Sequence, residues 1–333
     1  MSDTFFQSFA APLNIVIAAF VILGFGVLFR KKGWFPQTAD TPLYNVTVRL
    51  LMPSLILDRV VTAEGLFTDI RNLYLPPLVG FGMTLTGIIA GFVLAAVIPK
   101  KLTGLDSRKT ICTFAACAGI LNYGFTPIPL VEILFRNDGG KTMGILFVQN
   151  LGAELSIWTI VVMTMGGRFS RSILKRAINP PTCAILLGVL LNYTGLGRFM
   201  PQFAANTLHL LGGASIPVSI FLIGLTFADL FDGKKILARW KTSLRIAVCS
   251  CLLRLVLLPA LFLILLPELP CSIELKRVIV IHLAMPSAIF PLVLSKFYGG
   301  DEQTAMDVIL PNNILSVLTT SFWVAFGFYL IGS

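Results

Sequence analysis

Pro129-Leu130-Val131 is followed by Phe135 and the pair Gly139-Gly140; the glycines return 160 residues later as Gly299-Gly300, and the rest at an offset of 162 as Pro291-Leu292-Val293 with Phe297. The same offset carries Thr142 onto Thr304 and Asn150 onto Asn312, and an offset of 164 carries Pro53-Ser54 onto Pro217-Val218. The chain reads as two copies of one unit, matched best where proline interrupts an apolar stretch. Paired interruptions at corresponding positions are the sequence mark of a secondary transporter whose binding site lies at the interruptions.

The surrounding composition fits that class. With 56% hydrophobic and 13% charged residues over 333 positions, and a mean hydropathy of +0.86, there is too little polar surface for a soluble domain. Crossing a hydrocarbon core of about 30 Å takes about 20 helical residues. Apolar stretches of that kind predict ten spans, near 9–29, 40–60, 74–98, 110–135, 142–166, 179–195, 203–229, 243–267, 274–298 and 302–331. The expected class is an all-α polytopic membrane protein. No basic region precedes the first span, so no cleaved signal is expected. The six cysteines show no Cys-x-x-Cys or other metal spacing and read as small packing residues.

The charge of +10 would suggest nucleic acid in a soluble chain, but here its distribution explains it. Of 26 Lys and Arg, 17 fall in loops after odd-numbered spans, among them Arg168, Arg171, Lys175, Arg176, Lys234, Lys235 and Arg239. Only 7 fall in loops after even-numbered spans. The positive-inside rule then makes the odd loops cytoplasmic and sends both termini outward, and the basic loops suit an acidic lipid surface. Five spans per half is an odd number, so the halves, 1–168 and 169–333, enter from opposite faces as a 5+5 inverted repeat. Exchanging the conformations of two such halves gives alternating access without a second fold.

Span 4 reads Ala118-Gly-Ile-Leu-Asn122-Tyr123-Gly124-Phe-Thr126-Pro127-Ile-Pro129-Leu, and span 9 reads Ala284-Met285-Pro286-Ser287-Ala-Ile-Phe-Pro291-Leu. Proline lacks an amide proton and clashes with the preceding turn, so each cluster opens backbone groups. In hydrocarbon that is tolerated only where protein or a wet cavity supplies partners. A plain kink would explain one cluster; two in matching positions favour broken helices that cross at mid-membrane and aim half-helix N-termini at an anion.

At these residues the sequence resembles the auxin efflux carrier family, which includes plant PIN carriers and bacterial permeases for small organic acids. Asn122-x6-Pro129-Leu130 is similar to the plant carriers' fourth-helix motif, and Pro286-x4-Pro291-x-Val293-x2-Lys296-x-Tyr298 to their ninth-helix motif. Ala284-Met-Pro-Ser and Lys296-Phe-Tyr-Gly-Gly-Asp301 resemble the bacterial branch. The resemblance implies a scaffold of spans 1, 2, 6 and 7 and a moving transport domain of spans 3–5 and 8–10. It implies a small organic anion as substrate, with Asn122 binding its carboxylate and Pro127, Pro129, Pro286 and Pro291 making the crossover. Tyr123, Gly124, Thr126, Met285 and Ser287 complete the expected substrate site. A bacterial cytoplasmic membrane is the expected location, and a homodimer is left open. The plant carriers' third-helix Asp-x3-Lys has no clear match near Arg71, and their long central loop is missing, which argues against auxin.

Ionisable residues within spans cost about 2.5–3.5 kcal/mol at a helix centre and are functional candidates by default. Glu154, in the middle of span 5, is the candidate for coupling H+ or Na+, and Arg254 in span 8 for pairing with it or adding positive potential. Arg49 and Glu132 are weighed equally against interhelical and water-facing roles, His282 and Asp307 against packing. Asn150, Asn312 and Asn313 are either symmetric ligands or helix bridges. No cofactor is expected. A cation antiporter would want paired acids at the crossover, and an enzyme a nucleophile and base; with two histidines and no acidic pair, neither is visible.

Overall fold

The structure, a computed structural model, describes residues 2–124, 126–165, 177–230 and 240–332. Arg168, Arg171, Lys175, Arg176, Lys234, Lys235 and Arg239 lie outside the described residues. The helices are α1 (Ser2–Lys31), α2 (Asp40–Val46, running through a π-helical turn at Thr47–Leu51 into Met52–Thr62) and α3 (Arg71–Val97). Then come α4 (Arg108–Gly119), α5 (Pro127–Leu134), α6 (Lys141–Thr164) and α7 (Pro180–Tyr193). The chain ends with α8 (Gln202–Leu230), α9 (Trp240–Leu265), α10 (Ile273–Ala284), α11 (Phe290–Tyr298) and α12 (Glu302–Ile331). Among the described residues there is no strand longer than a single bridge.

Six of these helices, the spans within α1, α3, α6, α8, α9 and α12, are long and apolar enough to cross a membrane. Large apolar side chains such as Leu78, Val97, Leu210, Ile264 and Leu318 point outward from them. A face of that kind is stable only in lipid. The regions expected as spans 2, 4, 6 and 9 are not long uninterrupted apolar helices. The second carries a π-helical turn, the sixth is a helix of 14 residues, and the fourth and ninth are each two short pieces, α4 with α5 and α10 with α11.

Prolines decide where the helices yield. Pro259 cannot donate to the carbonyl of Leu255, and a π-helical turn at Leu253–Leu257 precedes it; the indole Nε1 of Trp323 donates to that carbonyl instead, at 2.6 Å. Pro53 follows the turn at Thr47–Leu51 in the same way. A third π-helical turn, Ile157–Val161, lies within α6. Such turns rotate the side chains beyond them off the regular helical face.

Close packing of α3 on α6 depends on two glycines. A Cβ on Gly80 would strike the carbonyl oxygen of Gln149, and one on Gly152 the carbonyl oxygen of Pro77. Backbone cannot retreat as a flexible side chain can, so these positions require glycine. Gly152→Val is expected to abolish recovery of folded, monodisperse protein on size exclusion. Gly124→Ala, whose added methyl meets open space, should behave as wild type in the same assay.

Candidate functional site

The two interruptions meet. Leu121 and Ser287 form an antiparallel bridge, in which Asn122 N donates to Pro286 O at 2.8 Å and Ala288 N to Ile120 O at 3.0 Å. The other carbonyls opened by the breaks are caught by side chains. Asn150 Nδ2 reaches Tyr123 O at 3.1 Å, and Asn313 Nδ2 reaches Ser287 O at 3.0 Å. Arg254 donates from Nε to Met285 O at 3.0 Å and from Nη2 to His282 O at 3.4 Å, while Thr320 Oγ1 reaches Ala284 O at 3.0 Å. A buried carbonyl left without any such donor costs about 1–3 kcal/mol; of those named, His282 O also accepts from Met285 N. Non-helical backbone is therefore held inside protein, as a membrane interior demands.

Beside the bridge lies a cavity of about 280 Å³. Asn122, Tyr123 and Gly124 from the first break border it, with Ala288, Ile289 and Phe290 from the second. Met285, Pro286, Ser287, Thr126, Pro127, Pro129 and Pro291 do not; they build the break around it. The Asn122 side chain is buried and donates to Thr126 Oγ1 at 2.9 Å. Glu154 borders the same cavity, with Oε1 accepting from Tyr123 OH at 2.9 Å and Oε2 from Trp158 Nε1 at 3.0 Å. Asn179, the N-cap of α7, is a further hydrogen-bond partner of Glu154. The half-helix N-terminus of α5 is poor in donors, because Pro127 and Pro129 remove two of its first four N–H groups. Its dipole persists, but hydrogen bonding to an anion there falls mainly to side chains.

Comparison with known proteins adds what geometry alone leaves open. The model of the family described as membrane transport protein matches residues 13–172 and 169–324. This chain belongs to that family. An uncharacterized transporter of Methanothermobacter thermautotrophicus is 28% identical over 330 residues, covering 95% of this chain and 98% of its own. An uncharacterized transporter of Methanocaldococcus jannaschii is 22% identical over 314 residues, covering 94% and 97%. Auxin efflux carrier component 8 of Arabidopsis thaliana is 26% identical over 149 residues, 44% of this chain and 39% of the plant protein. The chain is thus a multi-pass membrane transporter of the auxin efflux carrier family. Both relatives matched over nearly their full length are archaeal, whereas the motif wording resembles the bacterial branch.

Within this membrane transport protein the remaining candidates separate. Arg254 does not pair with Glu154: it is buried against the second break, where its guanidinium caps the carbonyl end of α10. Glu132 is also not at the cavity. It forms an ion pair with Arg59 Nη2 at 2.7 Å, tying α5 to α2, and Arg59 and His209 both approach Asp58. Arg49 sits in the π-helical turn of α2 with its side chain exposed and no partner among the described residues. Asn312 bridges to Ser250 Oγ at 3.0 Å, so Asn313 rather than Asn312 matches the service Asn150 gives to its break. The register slips by two residues at the breaks, where Tyr123 and Ser287, the carbonyls served, are 164 apart rather than 162, and by one at the asparagines, where Asn150 and Asn313 are 163 apart. His282 is packed against Gln149, Nδ1 to Nε2 at 2.9 Å, and Asp307 accepts from Gln303 at 3.2 Å. Arg71 lies at the start of α3, where its hydrogen bonds to Asp69 hold that exposed carboxyl below its ordinary range.

Three contributors to the cavity escape a reading of the sequence. Trp158 stands four residues after Glu154, a helical neighbour that spacing could have revealed. Tyr44 and Asn179 arrive from α2 and the start of α7, and only the tertiary fold brings them in.

Proposed function

We propose that this protein is a secondary transporter that moves a small organic anion across the cell membrane by elevator-type alternating access. The site is the cavity beside the crossing of the α4/α5 and α10/α11 breaks. The observation that carries this reading is the backbone bridge between the two breaks with Asn122 at the cavity wall. In this reading the chain is a ten-span inverted repeat, α1, α2, α7 and α8 form the scaffold, and the other helices form the moving domain. Both termini face outward. Tyr44 and Asn179 then lie at the cytoplasmic ends of their helices and Arg59–Glu132 at the outer end, so the conformation faces inward with an ion pair across its closed side.

Purified protein in liposomes, offered mono- and dicarboxylates under imposed pH, sodium and voltage gradients, tests the substrate class. Movement of no carboxylate under any gradient would sink it. An anion leaving an inside-negative cell gains about 2.3 kcal/mol per charge per 100 mV, so export needs no coupled ion, while uptake needs H+ or Na+. The ion pair offers a separate test. A half-exposed pair is worth about 0.2–1 kcal/mol, so Arg59→Glu should raise labelling of an outer-cavity cysteine by roughly two- to fivefold. Adding Glu132→Arg should restore it; equal labelling in wild type and R59E would remove the pair from the closure.

A further inference from the structure

We infer that the ligand of this cavity carries an ammonium group that pairs with Glu154, which narrows the substrate from carboxylates in general to amino acids and similar zwitterions. This rests on the carboxylate reading above and adds a second charge to it.

Glu154 is a carboxylate whose two oxygens both accept hydrogen bonds, from Tyr123 OH and Trp158 Nε1. An indole N–H only donates, so Oε2 is an acceptor in either protonation state, and with Tyr123 OH donating to Oε1 both oxygens are placed to accept in the ionised form that a cation in the cavity would hold. No described basic side chain borders the cavity: Arg254 is spent on the carbonyls of Met285 and His282, and Arg49 faces outward. The groups that face Glu154 are Tyr123 from the break, Trp158 from its own helix, Asn179 from α7 and Tyr44 from α2, all neutral in their ordinary forms. Among the described residues, the Glu154 carboxyl thus borders the cavity with no cation beside it.

Two further observations point to what completes it. Asn150 gives its amide N–H to Tyr123 O, and its Oδ1, buried on the cavity wall, has no hydrogen-bond partner. This buried acceptor and the Glu154 carboxyl belong to residues that line the cavity, and neither has a cationic donor among the described residues. Five aromatic residues, Tyr44, Tyr123, Phe147, Trp158 and Phe290, line the cavity beside aliphatic ones such as Met52 and Ile56. Aromatic faces around a carboxylate attract an organic ammonium through cation–π contact, whereas a bare metal cation needs a shell of oxygens that these rings do not supply. A ligand bearing only a carboxylate would enter against the field of Glu154. One bearing both charges can place its carboxylate at Asn122 and its ammonium at Glu154.

The test is affinity for matched pairs, measured on the full-length purified protein at neutral pH without sodium: L-leucine against 4-methylpentanoate, L-phenylalanine against 3-phenylpropanoate, L-glutamate against glutarate. At least one amino acid should bind about tenfold or more tightly than its deaminated partner, the worth of one charge-assisted contact. Glu154→Gln should bring that ratio toward one, and Glu154→Asp should keep it; the wild-type pairs decide the matter even where E154Q fails to fold. Equal or tighter binding of the deaminated acids overturns the inference and leaves the carboxylate reading standing. Binding of deaminated acids that appears only with sodium or at acid pH also overturns it, by assigning Glu154 to a coupled cation. Binding of bare amines without either acid overturns the carboxylate reading instead, and no binding by any probe overturns both.

Discussion

Arg254→Met is expected to lower the stability of the protein by about 1–3 kcal/mol, seen as a fall in the thermal unfolding midpoint in detergent. The side chain is fully buried and has no carboxylate partner among the described residues, so its charge is not kept for an ion pair. Its guanidinium instead spans two carbonyls beyond the reach of regular helix bonding: Met285 O, past the last residue of α10, and His282 O, which it shares with Met285 N. Removing it leaves Met285 O bare, at about 1–3 kcal/mol, while His282 O keeps the bond from Met285 N. Part of that is offset because a desolvated cation also leaves. A second contribution has the same sign: the carbonyl end of a helix carries about half a negative charge, which the guanidinium neutralises. Arg254→Lys keeps the charge but loses the planar fork, so it should fall between wild type and methionine. A methionine variant with an unchanged midpoint would show that the break is held without this side chain.

The breaks were legible because proline has a fixed chemical consequence wherever it occurs. Pro127, Pro129, Pro286 and Pro291 marked interruptions that the structure places at 120–126 and 285–289, between α4 and α5 and between α10 and α11. What catches the freed backbone was not legible, because a capping side chain can come from any helix. Arg254 and Glu154 look alike in sequence, single charges in apolar helices, yet one caps a helix end and the other borders a cavity. Three π-helical turns, each carrying Arg49, Arg254 or Trp158, shift side chains from the faces that a regular period assigns them. Asn150 could be paired with its counterpart only to within one residue, since the letters align at 162 and the hydrogen bonds to the breaks at 163. Glu132 was drawn toward the site by its closeness to Pro129, but less than a turn of helix points it at Arg59 instead.

Asn122→Ala is expected to weaken binding of a carboxylate ligand by about 10- to 150-fold while leaving the protein folded. The two outcomes separate because this residue holds the fold and meets the ligand through different atoms. Its backbone N–H makes the bond to Pro286 O that ties the breaks together, and alanine keeps that bond. Its carboxamide donates to Thr126 Oγ1 on a half-buried residue four positions on, a bond whose loss costs about 0.5–1.5 kcal/mol. An incoming carboxylate can take over that N–H, and a hydrogen bond to a charged group is worth about 1.5–3 kcal/mol, which sets the expected fold-change. The prolines raise the stake, since with Pro127 and Pro129 giving no N–H the first turn of α5 has fewer backbone donors to offer in its place. Asn122→Asp should be worse than alanine, because it removes the donor and adds a second negative charge to a cavity that already holds Glu154. Titration of the alanine variant with the tightest-binding carboxylate, alongside its unfolding midpoint, reads both effects at once. Unchanged affinity with an unchanged midpoint would take Asn122 out of the site and move the anion's contacts to the other donors on the cavity wall.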